Sequence, residues 1–569
     1  MQIYSKYFSF ILILFFVSCS SEEESIKPIP DISKVEKLFQ HTAEFDQKII
    51  SYSGGIHLAI GFGIANAYLI EGEGGNIIID TTDSTFQAEK VLAEFQKISN
   101  QPIAAIIYTH NHGDHVFGAK TFFNSQQEPP IVIAHDTMHK NVEKIVGLIN
   151  PIISDRSSKM FGTQLGEDLV NVGIGPYLSV GMSAPGYIKP SLTFSKDLKV
   201  EIAGISLELF HAPGETDDQL AVWIPSKSAI FVGDNLYKTF PNLYTIRGTS
   251  HRDVKKWSQS VRKIQNYQAN YLFPSHTLPI IGKDKVLEIT RLYADGIQYV
   301  HDQTVRLINQ GLSPHEIEDN IEFPEIFINS PYFYEFYGTV RWSIRSIFNG
   351  YLGWFDGNIA TLDPLSSIQR ANKISGMVGG PQNLLAAMQQ AVQQEDYQWA
   401  LELSDLLLTL EFNTKQVKAL RAEAASNLAQ IESNPNKRNY LLSAAMDLKG
   451  EFTDSSKLVQ RSPDILDELD IEMFISVLQV NLNPQKLSPS EKVSLCIEFT
   501  NGESLNLLVE NFVLKEGDNN YCSSKIKLSE ANFKKLLSGA INPITFFASD
   551  DVETDRASEA LQFLSLFRN

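Results

Sequence analysis

The chain has 569 residues, room for about three to four domains at the usual size per domain. Its composition is globular, 43% hydrophobic and 20% charged, so a sizeable core is within reach. Lys and Arg number 48 against 67 Asp and Glu, a formal charge of −19 that argues against nucleic acid as a partner and suits solubility.

Lys6 precedes an apolar run over residues 8–17, the length of a signal-peptide core and too short to span a bilayer. The run ends in Phe16-Val17-Ser18-Cys19 and gives way to Ser20-Ser21-Glu22-Glu23-Glu24. A small residue followed by Cys resembles the lipobox of bacterial lipoproteins. That resemblance implies removal of residues 1–18, lipidation of the Cys19 thiol, and an exported protein anchored in a membrane, periplasmic or surface-facing at the outer membrane. Residues 19–35 are polar, acidic and Pro-containing, and read as a tether.

Residues 76–80 and 103–108 are short apolar runs with the look of buried strands. Between them, residues 84–98 have helical spacing, with Phe86, Val91 and Phe95 on one face. Further strands are expected at 131–134, 205–210, 220–224, 229–232 and 271–273. Strands that alternate with helices and end in polar residues predict an α/β sandwich over residues 36–282.

Thr109-His110-Asn111-His112-Gly113-Asp114-His115 directly follows the second of these strands. Three imidazoles and a carboxylate in six residues do not make an apolar surface. On a loop at a strand end they can converge on a metal, and imidazole with carboxylate suits zinc. His211 reads as a structural histidine at a strand end, and His135, His139 and His251 as surface or supporting residues.

After residue 282 the pattern becomes helical. One stripe holds Leu384, Leu385, Met388, Ala391 and Val392, a second Trp399, Leu403, Leu406, Leu407 and Leu410, a third Val417, Leu420, Ala424 and Leu428. These predict stacked antiparallel helices within 283–454, with Trp354 and Trp399 in the core. Residues 455–569 predict a small α+β domain. A helix carries Leu466, Leu469, Met473 and Val477. Alternating strands follow, joined at Asn501-Gly502, a strong hairpin signal. Ser529 is placed to cap a helix bearing Phe533, Leu536 and Leu537, and a last helix bears Ala560, Leu561, Leu564 and Phe567. Cys496 and Cys522 lie in strand-like stretches. Two buried thiols are the default, a single bridge the alternative in an oxidising compartment.

The H-x-H-x-D-H string resembles the signature of the metallo-β-lactamase fold. Pro213-Gly214-Glu215-Thr216 stands where most of that fold has Pro-Gly-His-Ser/Thr, Gly233-Asp234-Asn235 where it has a bridging carboxylate, and Ser275-His276 where it has its last His. The resemblance implies an αββα sandwich with two zinc ions per chain. His110, His112 and Glu215 would bind one, and Asp114, His115 and His276 the other, with Asp234 bridging. Asp80 matches a residue that orients the His loop. Two zinc ions bring four positive charges, three carboxylates and one hydroxide cancel them, and a His at 215 would have left one charge over. Anion binding at this centre therefore needs positive charge from elsewhere.

Together with Asn242-Leu243-Tyr244-Thr245-Ile246-Arg247-Gly248, these strings resemble the type III linear alkylsulfatases, of which the chain looks like a divergent member. The family carries Glu at a different spacing near the third ligand, and Glu where this chain has Asp234. The resemblance implies that Asn242 and Arg247 hold a sulfate group, the guanidinium by a two-pronged contact. It gives Asp114, Asn242 and Arg247 catalytic parts. The Gly-rich stretch 173–186, with Tyr177, is expected to line the pocket. Gly353-Trp354-Phe355-Asp356-Gly357 and the helices after it are similar to the family's dimerisation domain, implying a homodimer. The C-terminal segment is similar to its sterol-carrier-protein-like domain. The implied activity is hydrolysis of sulfate monoesters of linear alkyl alcohols, small amphiphilic anions, by a zinc-bound hydroxide. The residues do not choose between C–O and S–O cleavage. Alternatives are a phosphoester or phosphonate hydrolase, a lactam or lactone hydrolase, and a non-catalytic lipid-binding lipoprotein.

Overall fold

The computed structural model describes residues 32–179, 185–453, 463–517 and 521–567. The apolar run 8–17 and Cys19 lie outside them, as do residues 180–184 of the Gly-rich stretch. A helix, Ile32–His41, begins inside the stretch read as a tether.

Two sheets face each other. The first has seven strands in chain order: β1 (Lys48–Tyr52), β2 (Ile56–Ile60), β3 (Ala67–Glu71), β4 (Asn76–Ile79), β5 (Ile103–Ile107), β6 (Ile131–His135) and β7 (Leu192–Phe194). Pairing is antiparallel through β4 and parallel from β4 to β7. The second has β8 (Asp197–Ile202), β9 (Ile205–His211), β10 (Leu220–Ile224), β11 (Ala229–Gly233), β12 (Tyr271–Pro274) and β13 (Ile280–Ile281) in the order β13-β12-β11-β10-β9-β8. Only β11 and β12 run parallel.

Ile56, Leu58, Tyr68, Ile77, Ile79, Ile107 and Ile133 pack against Leu207, Leu209, Val222, Phe231 and Phe273, which makes the space between the sheets a single apolar layer. Helices close both outer faces. Thr85–Gln96 covers the first sheet through Ala88, Val91 and Phe95. Phe86, expected on that face, is half-buried under the Lys90 ammonium, because the buried stripe runs one position further along. Val254–Gln265 and Lys283–Ile308 cover the second sheet. The first helix of the helical region is thus the fourth layer of the sandwich.

Beyond it stand Val340–Leu352, Ser367–Met377, Pro381–Gln393, Tyr397–Thr409, Thr414–Gln430 and Pro435–Lys449. The stripes meet as the spacing predicts, with Leu384, Leu385, Met388, Leu403, Leu407, Val417 and Ala424 in one cluster. The two tryptophans do not join it. Trp354 is 71% and Trp399 47% exposed, on faces that a single chain leaves uncovered.

The last segment forms a five-stranded sheet of β14 (Lys492–Phe499), β15 (Ser504–Glu510), β16 (Val513–Glu516), β17 (Ser524–Leu528) and β18 (Glu553–Thr554). β14 and β15 pair antiparallel across the Asn501-Gly502 turn, where Gly502 takes φ +92°. Ser529 caps Glu530–Leu537 by accepting from the Asn532 amide. Cys496 and Cys522, 5.9 Å apart at Cα, are joined as a disulfide, which decides the alternative left open above.

Candidate metal centre

The sandwich brings five loops to one edge: the ends of β4, β5, β11 and β12, and the turn from β9 to β10. The β5 loop turns into a short helix at Gly113, so His110 and His112 precede that helix while Asp114 and His115 ride on it. Asp80 fastens the loop. Its Oδ1 accepts from the Thr109 amide at 2.9 Å, and its Oδ2 from Thr109 Oγ1 at 2.9 Å, His115 Nδ1 at 2.8 Å and Ser275 Oγ at 2.6 Å. One buried carboxylate, at φ +56°, therefore ties together loops of both sheets. His276 is oriented the same way, its Nδ1 2.8 Å from the Ile64 carbonyl. In both residues Nε2 is left to face the centre.

Six of the seven expected ligands form two trios, His110–His112–Asp234 and Asp114–His115–His276. Asp234 Oδ2 lies 3.6 Å from His110 Nε2, 3.6 Å from His115 Nε2 and 3.2 Å from His276 Nε2, so it belongs to both. Asp114 Oδ2 is 3.3 Å from His115 Nε2 and 3.5 Å from His276 Nε2. Glu215 stands beside the first trio. Its Oε1 is 3.9 Å from His112 Nδ1 and 2.9 Å from Arg252 Nη1, and its Oε2 accepts from Tyr237 at 3.1 Å.

The residues fit a metal pair. His115 Nε2, His276 Nε2 and Asp234 Oδ1 are buried without a hydrogen-bond partner among the described residues, which is costly unless something else meets them. Edges of 3.2–3.6 Å are those of donors around a small cation, and nitrogen with carboxylate oxygen suits zinc. The electrostatics agree. Burial drives the His110 imidazole down to about 3 and His112 well below its ordinary value, leaving both neutral. Burial acts likewise on His115 and His276, but the Asp114 and Asp234 carboxylates outweigh it and hold both imidazoles up. Burial would raise Asp234, yet His276, His115 and His110 keep it well below the carboxylate range. Without cations, protons occupy the space that cations would fill.

Around the centre, a cleft of about 230 Å³, partly open to solvent, is lined by Asp114, His112, Asp234, Arg247 and Arg252. Arg247 donates to Thr245 Oγ1 at 2.9 Å and reaches His112 Nε2 at 3.1 Å. Asn242 is fully buried and is not among the residues that line the cleft, and its side-chain amide has no hydrogen-bond partner among the described residues. Tyr177 is not on the wall. Its hydroxyl meets Gln87 Nε2 at 3.1 Å and the Phe62 carbonyl at 3.4 Å, and Leu178 lines the cleft instead. His211 binds the Asp217 carbonyl at 2.6 Å, a structural role, and stacks on His135. His251 is exposed at the cleft rim.

Sequence reasoning passed over three features. Arg252 is buried and pairs with Glu215, and its position follows from Asp253, which caps the Val254–Gln265 helix. Asp218 is buried against the His loop, which pushes its carboxyl up to about 6. Ile145, Ile149, Ile153 and Phe161 recur at helical spacing and form an apolar wall of the cleft.

Comparison with known proteins agrees with this geometry. Residues 60–276 match the family model described as metallo-beta-lactamase superfamily, and 313–451 the one described as alkyl sulfatase dimerisation. A linear primary-alkylsulfatase of Pseudomonas sp. (strain ATCC 19151) is 34% identical over 506 residues, covering 86% of this chain and 95% of that protein. The alkyl/aryl-sulfatase BDS1 of Saccharomyces cerevisiae is 27% identical, covering 87% and 78%. In fold, the chain is similar to the stereoselective inverting sec-alkylsulfatase Pisa1 from Pseudomonas sp., with TM-score 0.86 over 94% of this chain and 86% of that one, at 23% identity.

Proposed function

The chain belongs to the alkylsulfatase family of metallo-β-lactamase-fold hydrolases, and on that premise we propose that it hydrolyses sulfate monoesters of linear alkyl alcohols. One observation carries the reading: a single cleft offers cationic groups for an anionic head and an aliphatic wall for a tail. Arg247 and the free amide of Asn242 are the proposed sulfate contacts, and Ile145, Ile149, Ile153 and Phe161 the contacts for the chain.

Two zinc ions are the proposed occupants of the centre, held by His110 and His112, by Asp114, His115 and His276, and by Asp234 between them; when bound, they supply a water acidic enough to act as nucleophile near neutral pH. Asp80 holds the His115 ring in register for that set. Glu215 is the proposed seventh ligand, and its pairing with Arg252 answers the charge question. The guanidinium returns the positive charge that a carboxylate in place of a histidine removes. Arg247 is free to offset the charge that develops on the sulfate as its bond to the alcohol breaks.

The test is a substrate panel on the zinc-loaded protein, with sulfate release from dodecyl sulfate and phosphate release from dodecyl phosphate measured side by side. Sulfate release is expected. Phosphate release without sulfate would replace this reading with that of a phosphoesterase. Turnover in ¹⁸O-water places the break: label in the alcohol reports C–O cleavage, label in sulfate S–O cleavage.

We also infer export with a lipid on Cys19, and the Cys496–Cys522 bridge supports an oxidising compartment. Cys19→Ser is expected to move the protein from the membrane to the soluble fraction. The C-terminal sheet is the proposed sterol-carrier-like element that offers apolar surface to alkyl tails.

A further inference from the structure

We propose that His139, Glu143 and Asp470 form a separate divalent-cation site that clamps the C-terminal segment to the wall of the cleft. His139 and Glu143 lie one turn apart on the helix Met138–Glu143, and Asp470 comes from the residue before the helix Ile471–Asn481. Three ligand atoms, one from each residue, lie within 4.8 Å of one another.

Three independent features point to a cation here. The first is the state of His139, which is 92% buried. Its Nδ1 is 3.0 Å from the Tyr187 hydroxyl, and that hydroxyl donates its own proton to Met138 Sδ at 3.8 Å. The opposite ring nitrogen, Nε2, points toward Glu143 and Asp470. Nε2 has no hydrogen-bond partner among the described residues.

The second feature is distance. Nε2 is 3.5 Å from Glu143 Oε1 and 3.4 Å from Asp470 Oδ2. An imidazolium bridging two carboxylates would draw them to roughly 2.7–2.9 Å. Ligands at about 2.1 Å from a tetrahedral zinc are instead about 3.4 Å from each other. The third is Asp470 itself. It occupies the N-cap position of its helix, yet its side chain makes no cap. Oδ1 takes Lys189 Nζ at 2.5 Å, Oδ2 turns to His139, and the Asp470 amide donates to Glu143 Oε1 at 2.7 Å.

The place of the site gives it a use. The chain after Glu143 is the π-helical turn Lys144–Leu148, whose Ile145 faces the cleft. Its Gly147 lies against Met473, so close that a Cβ there would fall 2.2 Å from the sulfur. A cation joining Glu143 to Asp470 would fix one side of the cleft to the C-terminal helix. Donors of one nitrogen and two oxygens suit zinc.

The test is a difference in bound zinc between full-length wild type, Asp470→Asn and His139→Gln, each saturated, desalted and counted by mass spectrometry. Asn keeps the capping ability of position 470, and Gln keeps much of the histidine's bulk. Each variant is expected to hold one zinc fewer per chain than wild type. Equal contents in all three would overturn the proposal in favour of a plain ion-pair cluster. Because the readout is a difference, it stands apart from the total, which reports on the dinuclear centre. A second measurement uses Asp234→Ala as background. Zinc is expected to raise its Tm by roughly 2–4 °C or more, and adding Asp470→Asn is expected to abolish the rise. A background that does not respond to zinc would also overturn the site.

Discussion

Asp234 and Arg247 line the same cleft, but removing each should have a different signature. Asp234 Oδ2 is the one atom shared by both trios, so Asp234→Ala takes a donor from each. Loss of bound metal and of turnover is expected together, read by zinc content and sulfate release. Arg247 touches the centre only through His112 Nε2, the nitrogen on the far side from the trio. Arg247→Ala should keep its zinc, raise KM and lower kcat, by about 10²-fold or more in kcat/KM if the guanidinium meets charge that builds up in the transition state. Wild-type kinetics in that variant would end the sulfate-clamp idea. Asp218 gives a pH test on metal-free protein. Its carboxyl titrates at about 6 when folded and near 3.8 when unfolded, so the folded state binds the extra proton between those values. Stability therefore falls as pH rises through that window, by about 3 kcal/mol at 1.36 kcal/mol per unit. Asp218→Asn removes the cost. Its gain over wild type should be near zero at pH 4, grow up to pH 6 and level off above pH 7 in denaturant titrations. The His loop was legible because its chemistry is local, four donors in six residues. Arg252 and Asp218 were not, because each matters only through what the fold lays against it.

At the scale of elements, the strands announced themselves. Ile77, Ile78 and Ile79 are all buried because a strand inside a sandwich has both faces covered, and an unbroken apolar run says so. The helical stretch 144–161 was silent for the opposite reason. Ile145, Ile149 and Ile153 line a cleft rather than a core, and Lys144, Asn150 and Ser154 among them hide the stripe. Ile145, Ile149 and Ile153 are half-buried, as a wall awaiting a tail should be. Shortening Ile149 and Ile153 to Ala should therefore act on tail binding and spare the head. For dodecyl sulfate, KM is expected to rise about tenfold, the equivalent of about 1.4 kcal/mol and of roughly two methylenes' worth of burial. For hexyl sulfate, it should change by less than about twofold. Equal effects on both would mean that the tail lies elsewhere.

Across the whole molecule, the segments distinguished by composition share cores. Lys283–Ile308 opens the helical region yet seals the second sheet, and Ile465, Leu466, Leu469 and Phe474 from the C-terminal segment sit in the cluster that covers the first sheet. Composition marks where the pattern changes, not which surface a helix will find, so this docking could not be read in advance. The same reasoning explains the tryptophans. Trp354, Ile359 and Met377 are 71%, 88% and 86% exposed, and Leu352, Leu362, Leu365 and Ile368 crowd the same stretch. Such a surface on a lone chain is a contact waiting for a partner, and it falls within residues 313–451, the part that matches the dimerisation family. A symmetric pair would bury it against its own copy. Placing a charge on the patch then costs nothing to the folded chain and much to the pair. Ile359→Asp with Met377→Asp should leave the circular dichroism unchanged and turn a dimer into a monomer by light scattering. A variant that stays dimeric would move the interface off this face, and a wild type that is monomeric at micromolar concentration would leave the exposed tryptophan unexplained.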